Sequence, residues 1–167
     1  MNAPRIVRAD YADPAHGAAI VELLDIYARD PMGGATSLSE EVKAALVPGL
    51  AASPCAFSLL VFASDEAGGQ AIGLVNCFQG FSTFAAKPLV NIHDIVVRPE
   101  WRGRGVARAL FAAVEAIAAE RGACKVTLEV LNGNSPAKAL YASMGYGDYV
   151  LDPHMGNALF WQKRLAA

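Results

Sequence analysis

The stretch Asn91–Ala107, NIHDIVVRPEWRGRGVA, joins an apolar strand to an apolar helix through a turn rich in arginine and glycine. Residues 89–97 are dense in β-branched side chains, which predicts a buried strand that ends before Pro99. After the turn, apolar residues recur at the spacing of one helical face, at Val106, Leu110, Val114 and Ile117. Because no conventional capping side chain precedes this helix, its first N–H groups are expected to be unpaired and to point outward.

The turn therefore predicts a binding loop for an anion. Gly103 and Gly105 leave room for a ligand to approach the backbone, which a side chain would block. Arg102, Arg104 and Arg108 crowd the positive end of the helix dipole, where a cation is unfavourable unless an anion lies close by. A phosphate-bearing ligand would cap the helix and neutralise the arginines. The alternative interpretation is an exposed basic turn without a ligand.

Two familiar phosphate loops do not fit this turn. A nucleoside-triphosphate loop needs Gly-Lys-Ser/Thr, which occurs nowhere in the chain, and the dinucleotide fingerprint needs a glycine where Arg108 stands. The turn resembles instead the Arg/Gln-x-x-Gly-x-Gly/Ala loop of the GNAT superfamily of acyl-CoA-dependent N-acyltransferases, here Arg102, Gly105 and Ala107. The preceding strand, which ends Val-x-Pro at Val97 and Pro99, is similar to the fourth strand of that family.

This resemblance implies that the ligand is acetyl-CoA. Its pyrophosphate is expected at the loop, on Arg102, Gly103, Arg104, Gly105, Val106, Ala107 and Arg108. Its pantetheine arm is expected to form backbone hydrogen bonds with the strand edge at Ile95, Val96 and Val97.

A second GNAT-like motif lies downstream, reading Asn-x-x-Ala-x-x-x-Tyr-x-x-x-Gly-Tyr from Asn134 to Tyr146. Asn134, Lys138 and Tyr141 share one face of the helix that this motif predicts. The resemblance implies that Asn134 binds the amide chain of the cofactor and that the phenol of Tyr141 approaches the thioester sulfur. A phenol with a pKa of about 10 can protonate a leaving thiolate. Taken alone, Asn134 could be only a helix cap and Tyr141 only a core aromatic.

His93 and Asp94 are the candidates for the base that takes a proton from the attacking amine. An alkylamine has a pKa of about 10 and must lose a proton before it attacks a thioester. In GNAT enzymes the position that matches His93 often carries a glutamate, and an imidazole could accept the proton directly or through water. Strand alternation puts the two side chains on opposite faces unless a bulge intervenes, so the choice between them is open. Both could also be structural, with His93 in the interior and Asp94 paired with a backbone group or a cation.

The composition excludes several other classes of protein. The chain has 167 residues, of which 54% are hydrophobic and 18% charged, and this fits a single domain over residues 1–167. A net charge of −2 argues against general nucleic-acid binding, because no basic field would hold a phosphodiester backbone. Neither a membrane span nor a signal peptide is evident, which predicts a cytoplasmic protein without a membrane partner.

Cysteine and histidine spacing gives no sign of a metal site. Cys55, Cys77 and Cys124 lack a metal or disulfide pattern and favour a reducing compartment. His16 and His154 have no partner at metal-ligand spacing, so no metal is expected.

Local patterns predict the order of the elements. The expected strands are 5–9, 56–64, 70–78, 89–97, 123–131, 146–151 and 158–164, with a loop at 65–69 and an irregular aromatic segment at 81–84. Four helices are expected. The first starts at Asp13-Pro14 and ends near Tyr27, and the second starts with a capping box at 37–40. The third follows the glycine loop up to Gly122, and the fourth starts at Asn132 or Asn134. The order βααβββαβαββ predicts a single-domain α/β fold that resembles the GNAT fold, with a mixed, largely antiparallel sheet and helices on both faces.

The resulting hypothesis is an N-acetyltransferase that moves an acetyl group directly from acetyl-CoA to a primary amine. Direct transfer is expected because neither motif supplies a covalent nucleophile. The acceptor is expected to be a small amine, such as an amino acid or a polyamine, beside the wall residues Tyr27, Asp30, Phe81, Phe84, His93 and Asp94. The alternatives are a CoA-binding sensor without turnover and an interaction protein without a cofactor, and formation of a homodimer is left open.

Overall fold

The computed structural model describes residues 4–63 and 69–165, which fall into two compact units, Met1–Leu128 and Glu129–Ala167. The described residues form an α/β fold with a five-stranded mixed sheet and four α-helices. The first unit holds β1 (Arg5–Arg8), α1 (Pro14–Arg29), α2 (Glu40–Ala52), β2 (Ala56–Phe62), β3 (Ala71–Ser82), β4 (Lys87–Val97), α3 (Val106–Glu120) and β5 (Val126–Leu128). The second unit holds α4 (Ser135–Ala142).

The sheet is mixed and largely antiparallel, as the sequence predicts. Its strands lie in chain order from β1 to β5; the first four pair antiparallel, and β5 runs parallel to β4. Parallel neighbours need a long crossover connection, and α3 provides it between β4 and β5.

Helices cover both faces of the sheet in the first unit. On one face, which we call the α1 face, Leu60 and Leu74 pack in one cluster with Ile20 of α1. Because side chains alternate along a strand, Gly73 points to the opposite face. There a Cβ on Gly73 would lie 3.1 Å from a methyl group of Val106, so the glycine lets α3 pack closely.

Helix α1 begins where the sequence predicts. The Asp13 carboxylate accepts a hydrogen bond from the Ala15 N–H at 2.8 Å, and Pro14 occupies the first helical position. The helix continues to Arg29 rather than ending near Tyr27.

The start of α2 differs from the predicted capping box. Ser39 is the cap and accepts a hydrogen bond from the Val42 N–H at 3.3 Å. Ser37 instead donates its hydroxyl hydrogen to Asp25 at 2.7 Å. The Asp25 side chain is buried in α1 and also accepts from the Leu38 N–H, so a buried carboxylate takes the serine that the capping box would use.

The strands correct two further boundaries. Phe81 belongs to β3 and not to an irregular segment, and a turn at residues 83–86 joins β3 to β4. β5 occupies only Val126–Leu128 of the predicted 123–131. The predicted loop at 65–69 lies, except for its last residue, outside the described residues.

The second unit confirms one predicted helix but not the last two predicted strands. Asn134 caps α4, whereas no strand is described at 146–151 or 158–164. These segments share one backbone hydrogen bond, from the Ala158 N–H to the Tyr149 carbonyl at 2.9 Å. Between them lie a 3-10 turn at Pro153–Met155 and Gly156 with a φ of 82°. The alternation of apolar residues predicts which side of a strand is buried. A strand also needs a neighbouring strand with which its backbone can form regular hydrogen bonds.

None of the helices in the described parts of the chain has the length and apolarity needed to cross a membrane.

Candidate active site

A bulge in β4 decides where His93 and Asp94 point. Asn76 of β3 lies opposite Asp94, and Cys77 lies opposite Ile92, so His93 is an extra residue without a partner in the register. A bulge of this kind bends the strand and redirects the side chains beside it. The bulge that the sequence left open is therefore present.

The bulge brings both candidate bases toward the α1 face. The ring of His93 packs edge-on against Phe78 at a centroid distance of 5.4 Å, and Phe78 packs on the core cluster of that face. Asp94 accepts a hydrogen bond from the Asn76 amide nitrogen at 3.1 Å. His93 is exposed, so its interpretation as an interior histidine is wrong, whereas Asp94 is half-buried.

The same bulge marks the start of an open strand edge. β5 pairs with β4 only from Val90 to Ile92, and beyond that point no strand in the described part of the chain lies on this edge. The N–H of Arg98 bonds to β3, so alternation turns the backbone groups of Ile95 and Val97 toward the open side. This is the edge that the sequence predicts for the pantetheine arm, but the prediction for Val96 is wrong, because the same alternation turns its backbone groups toward β3.

The arginine-glycine loop has the predicted backbone. Gly105 is the N-cap of α3 with a φ of 83°, Gly103 has a φ of 72°, and no side chain caps the helix. A Cβ built on either glycine would meet no protein atom within 4 Å, so the space beside the loop is open. The first N–H groups of α3 therefore face a free volume at the positive end of the helix.

The arginines of the loop are not equivalent. Arg102 donates from Nε to the Val97 carbonyl at 3.2 Å and from Nη2 to Asp30 at 3.1 Å. The guanidinium of Arg104 stacks over the Trp101 ring at 5.0 Å from its centroid. Arg102 thus ties the loop both to the open edge of β4 and to the end of α1.

Both carboxylate oxygens of Asp30 accept hydrogen bonds from other residues of the protein. One carboxylate oxygen accepts from the Met32 N–H at 2.9 Å, and the other accepts from Arg102. The hydrogen bond from Met32 and the Arg102 guanidinium together hold the pKa of Asp30 below its ordinary value, although burial opposes them. Asp30 therefore lies at the predicted acceptor wall, but its carboxylate already has two partners.

Tyr27 lies in α1 near both acidic residues. Burial raises the pKa of its phenol, and the negative charges of Asp94 and Asp30 raise it further. The phenol therefore stays protonated at neutral pH. Tyr27, Asp30 and Asp94, three of the predicted wall residues, are thus brought together with the bulge at His93.

The aromatic residues Phe81 and Phe84 are not brought to this group. Phe81 pairs with Pro88, six residues along β4 from Asp94, which corresponds to about 20 Å at the rise of a strand. Phe84 lies in the turn that follows β3, and both rings are exposed.

The second unit places Asn134 and Tyr141 on α4. The Asn134 side chain accepts a hydrogen bond from the Ala137 N–H at 3.3 Å, so it caps the helix. Tyr141 lies in the last turn, where its carbonyl accepts a hydrogen bond from the Tyr146 N–H. Both belong to the predicted motif, and the cap uses only the amide oxygen of Asn134.

Sequence reasoning missed Asn76 and Ser58, two buried polar residues behind Asp94. Ser58 donates to Asn76 at 2.6 Å, and both are almost fully buried. The available signal was a single polar residue inside each apolar strand, in AFSLLVF and AIGLVNCF. In the described parts of the chain no group of three or more His, Cys, Asp or Glu residues could hold a metal ion.

The chain is similar in sequence to several curated acetyltransferases. Streptothricin acetyltransferase of Streptomyces lavendulae is 40% identical over 75 residues, which cover 45% of this chain and 40% of that protein. The matches with curated relatives cover only about half of each relative's length, or less.

Many solved structures share the fold. A probable acetyltransferase has a TM-score of 0.77 at 23% identity and covers 96% of this chain and 99% of its own. AAC(6')-Iy in complex with the bisubstrate analogue CoA-S-monomethyl-acetylneamine has a TM-score of 0.74 at 18% identity, over 98% and 100% of the two chains. The profile of the Acetyltransferase (GNAT) family matches residues 20–146, which is most of the chain. The protein therefore belongs to the GNAT acetyltransferase family.

Proposed function

We propose that the protein is an N-acetyltransferase that moves an acetyl group from acetyl-CoA directly to a primary amine of a small molecule. The observation that carries this proposal is the open edge of β4 beside an uncapped helix N-terminus. An open strand edge can hydrogen-bond the amides of a pantetheine arm, and the start of a helix binds a pyrophosphate. Acetyl-CoA carries both groups, with the pantetheine arm joined directly to the pyrophosphate.

The chain's own residues divide the binding of acetyl-CoA between them. Gly103 and Gly105 present N–H groups to the pyrophosphate, and Arg104 and Arg108 add positive charge at the same end of α3. Arg102 contributes mainly by holding the loop against β4, because its guanidinium already donates to protein oxygens.

The transfer itself needs a base and an acid. A base near the β4 bulge takes the proton of the attacking amine, and His93, Asp94 or a water molecule between them can supply it. The family motif gives Tyr141 the role of the acid that protonates the thiolate of CoA. The bond that forms joins the amine nitrogen to the acetyl carbon, and the bond that breaks is the thioester.

The acceptor is a cation before it reacts. Asp94 and the protonated phenol of Tyr27 lie beside the bulge, and a carboxylate there attracts an ammonium group. The family relatives named above include a streptothricin acetyltransferase and a complex with a CoA-linked acetylneamine. These support amino-group-rich small molecules as the acceptor class.

The test is consumption of acetyl-CoA with a panel of amines: lysine, spermidine, neamine and streptothricin, with CoA binding measured in parallel. We expect CoA release to depend on at least one amine and the product to be its N-acetyl derivative. Tight CoA binding without turnover on any amine would favour a CoA sensor instead.

A further inference from the structure

A continuous chain of polar side chains crosses the α1 face of the sheet and ends at Asp94. Tyr11 lies 2.9 Å from the Ser58 hydroxyl, and Ser58 lies 2.6 Å from the amide oxygen of Asn76. The amide nitrogen of Asn76 lies 3.1 Å from a carboxylate oxygen of Asp94. Ser58 of β2 is 1% exposed and Asn76 of β3 is 2% exposed, so the middle of the chain is sealed from solvent.

The hydrogen bonds that link Tyr11, Ser58 and Asn76 to Asp94 all have their donors on the side of Tyr11 and their acceptors on the side of Asp94. Ser58 has a single hydroxyl hydrogen and donates it to Asn76, so the bond with Tyr11 requires the tyrosine to donate. Burial raises the pKa of Tyr11, which keeps its phenolic hydrogen in place. Asn76 then donates from its amide nitrogen to Asp94. Every donor therefore points toward the Asp94 carboxylate.

The reverse orientation of Asn76 would be unfavourable. It would set the amide oxygen against a carboxylate oxygen, where two acceptors meet without a hydrogen. A buried polar group without a hydrogen-bond partner costs free energy. In the described part of the protein, no buried side-chain nitrogen or oxygen atom lacks such a partner. The amide of Asn76 therefore has one stable orientation, and Asp94 is held as an acceptor.

Only one oxygen of Asp94 is used by this chain. The other oxygen has no hydrogen-bond partner among the described residues, and Asp94 follows the bulge at His93 directly. A carboxylate that is fixed through one oxygen can present the second in a defined direction.

We propose, on the basis of the function proposed above, that Tyr11, Ser58 and Asn76 are positioning residues for the acceptor amine. They fix the Asp94 carboxylate so that its second oxygen receives the amine nitrogen of the acceptor at the β4 bulge. The three residues act through Asp94 and touch neither substrate.

The first experiment compares Ser58→Ala with Ser58→Thr. The alanine removes the donor to Asn76, and we expect kcat/KM for the amine to fall about 10-fold through a higher KM for the amine, with the KM for acetyl-CoA unchanged. The threonine keeps a hydroxyl and should retain most of the activity. Leu60→Val, on the same strand and face and fully buried, is the control for general loosening and should leave the KM for the amine unchanged. Equal KM values for Ser58→Ala and wild type would overturn the proposal.

A double-mutant cycle separates positioning from packing. Asn76→Leu should lower kcat/KM for the amine in the wild type but add little in an Asp94→Asn background, because its effect passes through the carboxylate. Full additivity of the two losses would mean that Asn76 acts only on stability and would contradict the proposal.

A measurement without substrate keeps the two proposals apart. The side-chain amide protons of Asn76 should exchange slowly with solvent in the wild type and faster in Ser58→Ala, with the exposed Asn132 as internal reference. If the wild type acetylates no amine, the proposed function fails. This NMR result still decides whether the hydrogen bonds that link Tyr11, Ser58 and Asn76 to Asp94 are present. Rapid exchange of the Asn76 protons in the wild type would show that it does not.

Discussion

At the scale of single residues, one inserted position in β4 changes which chemistry the α1 face can carry. With regular alternation, His93 and Asp94 would lie on opposite faces of the sheet. The bulge sets the His93 ring against Phe78 and leaves Asp94 on Asn76, so an imidazole and a carboxylate serve the same side. In the proposed transfer, the base that takes the proton of the amine is therefore His93, Asp94 or a water molecule between them.

His93→Ala tests the imidazole. Turnover should fall by about 10-fold to 100-fold, and most strongly at low pH where free amine is scarcest, with little change in CoA affinity. His16→Ala is the matched control, because His16 of α1 packs against Phe62 of β2 and accepts a hydrogen bond from the Asp10 N–H, whereas both candidate bases lie on β4. A pH–rate profile that is the same in His93→Ala and wild type would assign the proton to water or to Asp94.

Tyr141→Phe tests the general acid, since it keeps the ring and removes only the phenolic hydrogen. The acetyl-CoA-dependent rate should fall by roughly 100-fold, with CoA affinity almost unchanged. The loss should shrink with a thioester of a more acidic thiol, because that leaving group needs less protonation. A purely structural tyrosine would instead lower the thermal stability, with no dependence on the leaving group.

At the scale of the elements, Asp25 joins α1 to the segment that leads into α2. Burial alone would raise the pKa of Asp25, but hydrogen bonds from Ser37 and Leu38 and the charges of Arg29 and Lys43 outweigh burial and lower it. The pKa of Asp25 is therefore lower in the folded state than its unfolded value of about 3.9. The ionised carboxylate contributes its full stability above the unfolded pKa, and this contribution is lost as the pH falls through the folded pKa.

Asp25→Ala should therefore lower the free energy of unfolding by about 3 kcal/mol at neutral pH. Urea titrations should show that this difference narrows below about pH 4, as the wild-type carboxylate becomes protonated. Glu41→Ala, an exposed carboxylate in the first turn of α2, is the control and should change little. A difference that stays constant down to about pH 2 would show that the charge of Asp25 is not the source.

The loop that opens α3 is tested by Gly105→Glu. A side chain and a negative charge would then occupy the place proposed for the pyrophosphate, so CoA binding should be lost while the circular dichroism spectrum is kept. Gly122→Glu introduces the same left-handed strain at the other end of α3, where φ is 68°, and should bind CoA normally. Undiminished CoA affinity in Gly105→Glu would remove the loop from the mechanism.

Features with a local cause could be predicted from the sequence. The cap and proline that start α1 and the uncapped glycine before α3 depend on neighbouring residues and were found where expected. Ser58, Asn76 and Asp94 could not be linked in this way, because only the strand register sets them opposite one another. The serine that caps α2 was misplaced for the same reason, since its competitor Asp25 lies in another helix.

At the scale of the whole molecule, whose net charge is −2, we propose the arginine-glycine loop as the place where an anion binds, so binding of acetyl-CoA should be visible as an increase in stability. Acetyl-CoA at about 100 times its Kd should add about 2.7 kcal/mol to the free energy of unfolding. For a chain of this size that raises the Tm by roughly 5–10 °C. Acetyl-pantetheine lacks the pyrophosphate and should give a smaller rise, and Gly105→Glu should respond equally weakly to both ligands. No rise with acetyl-CoA would favour an interaction protein without a cofactor, whereas equal rises with both ligands would place the binding energy on the β4 edge alone.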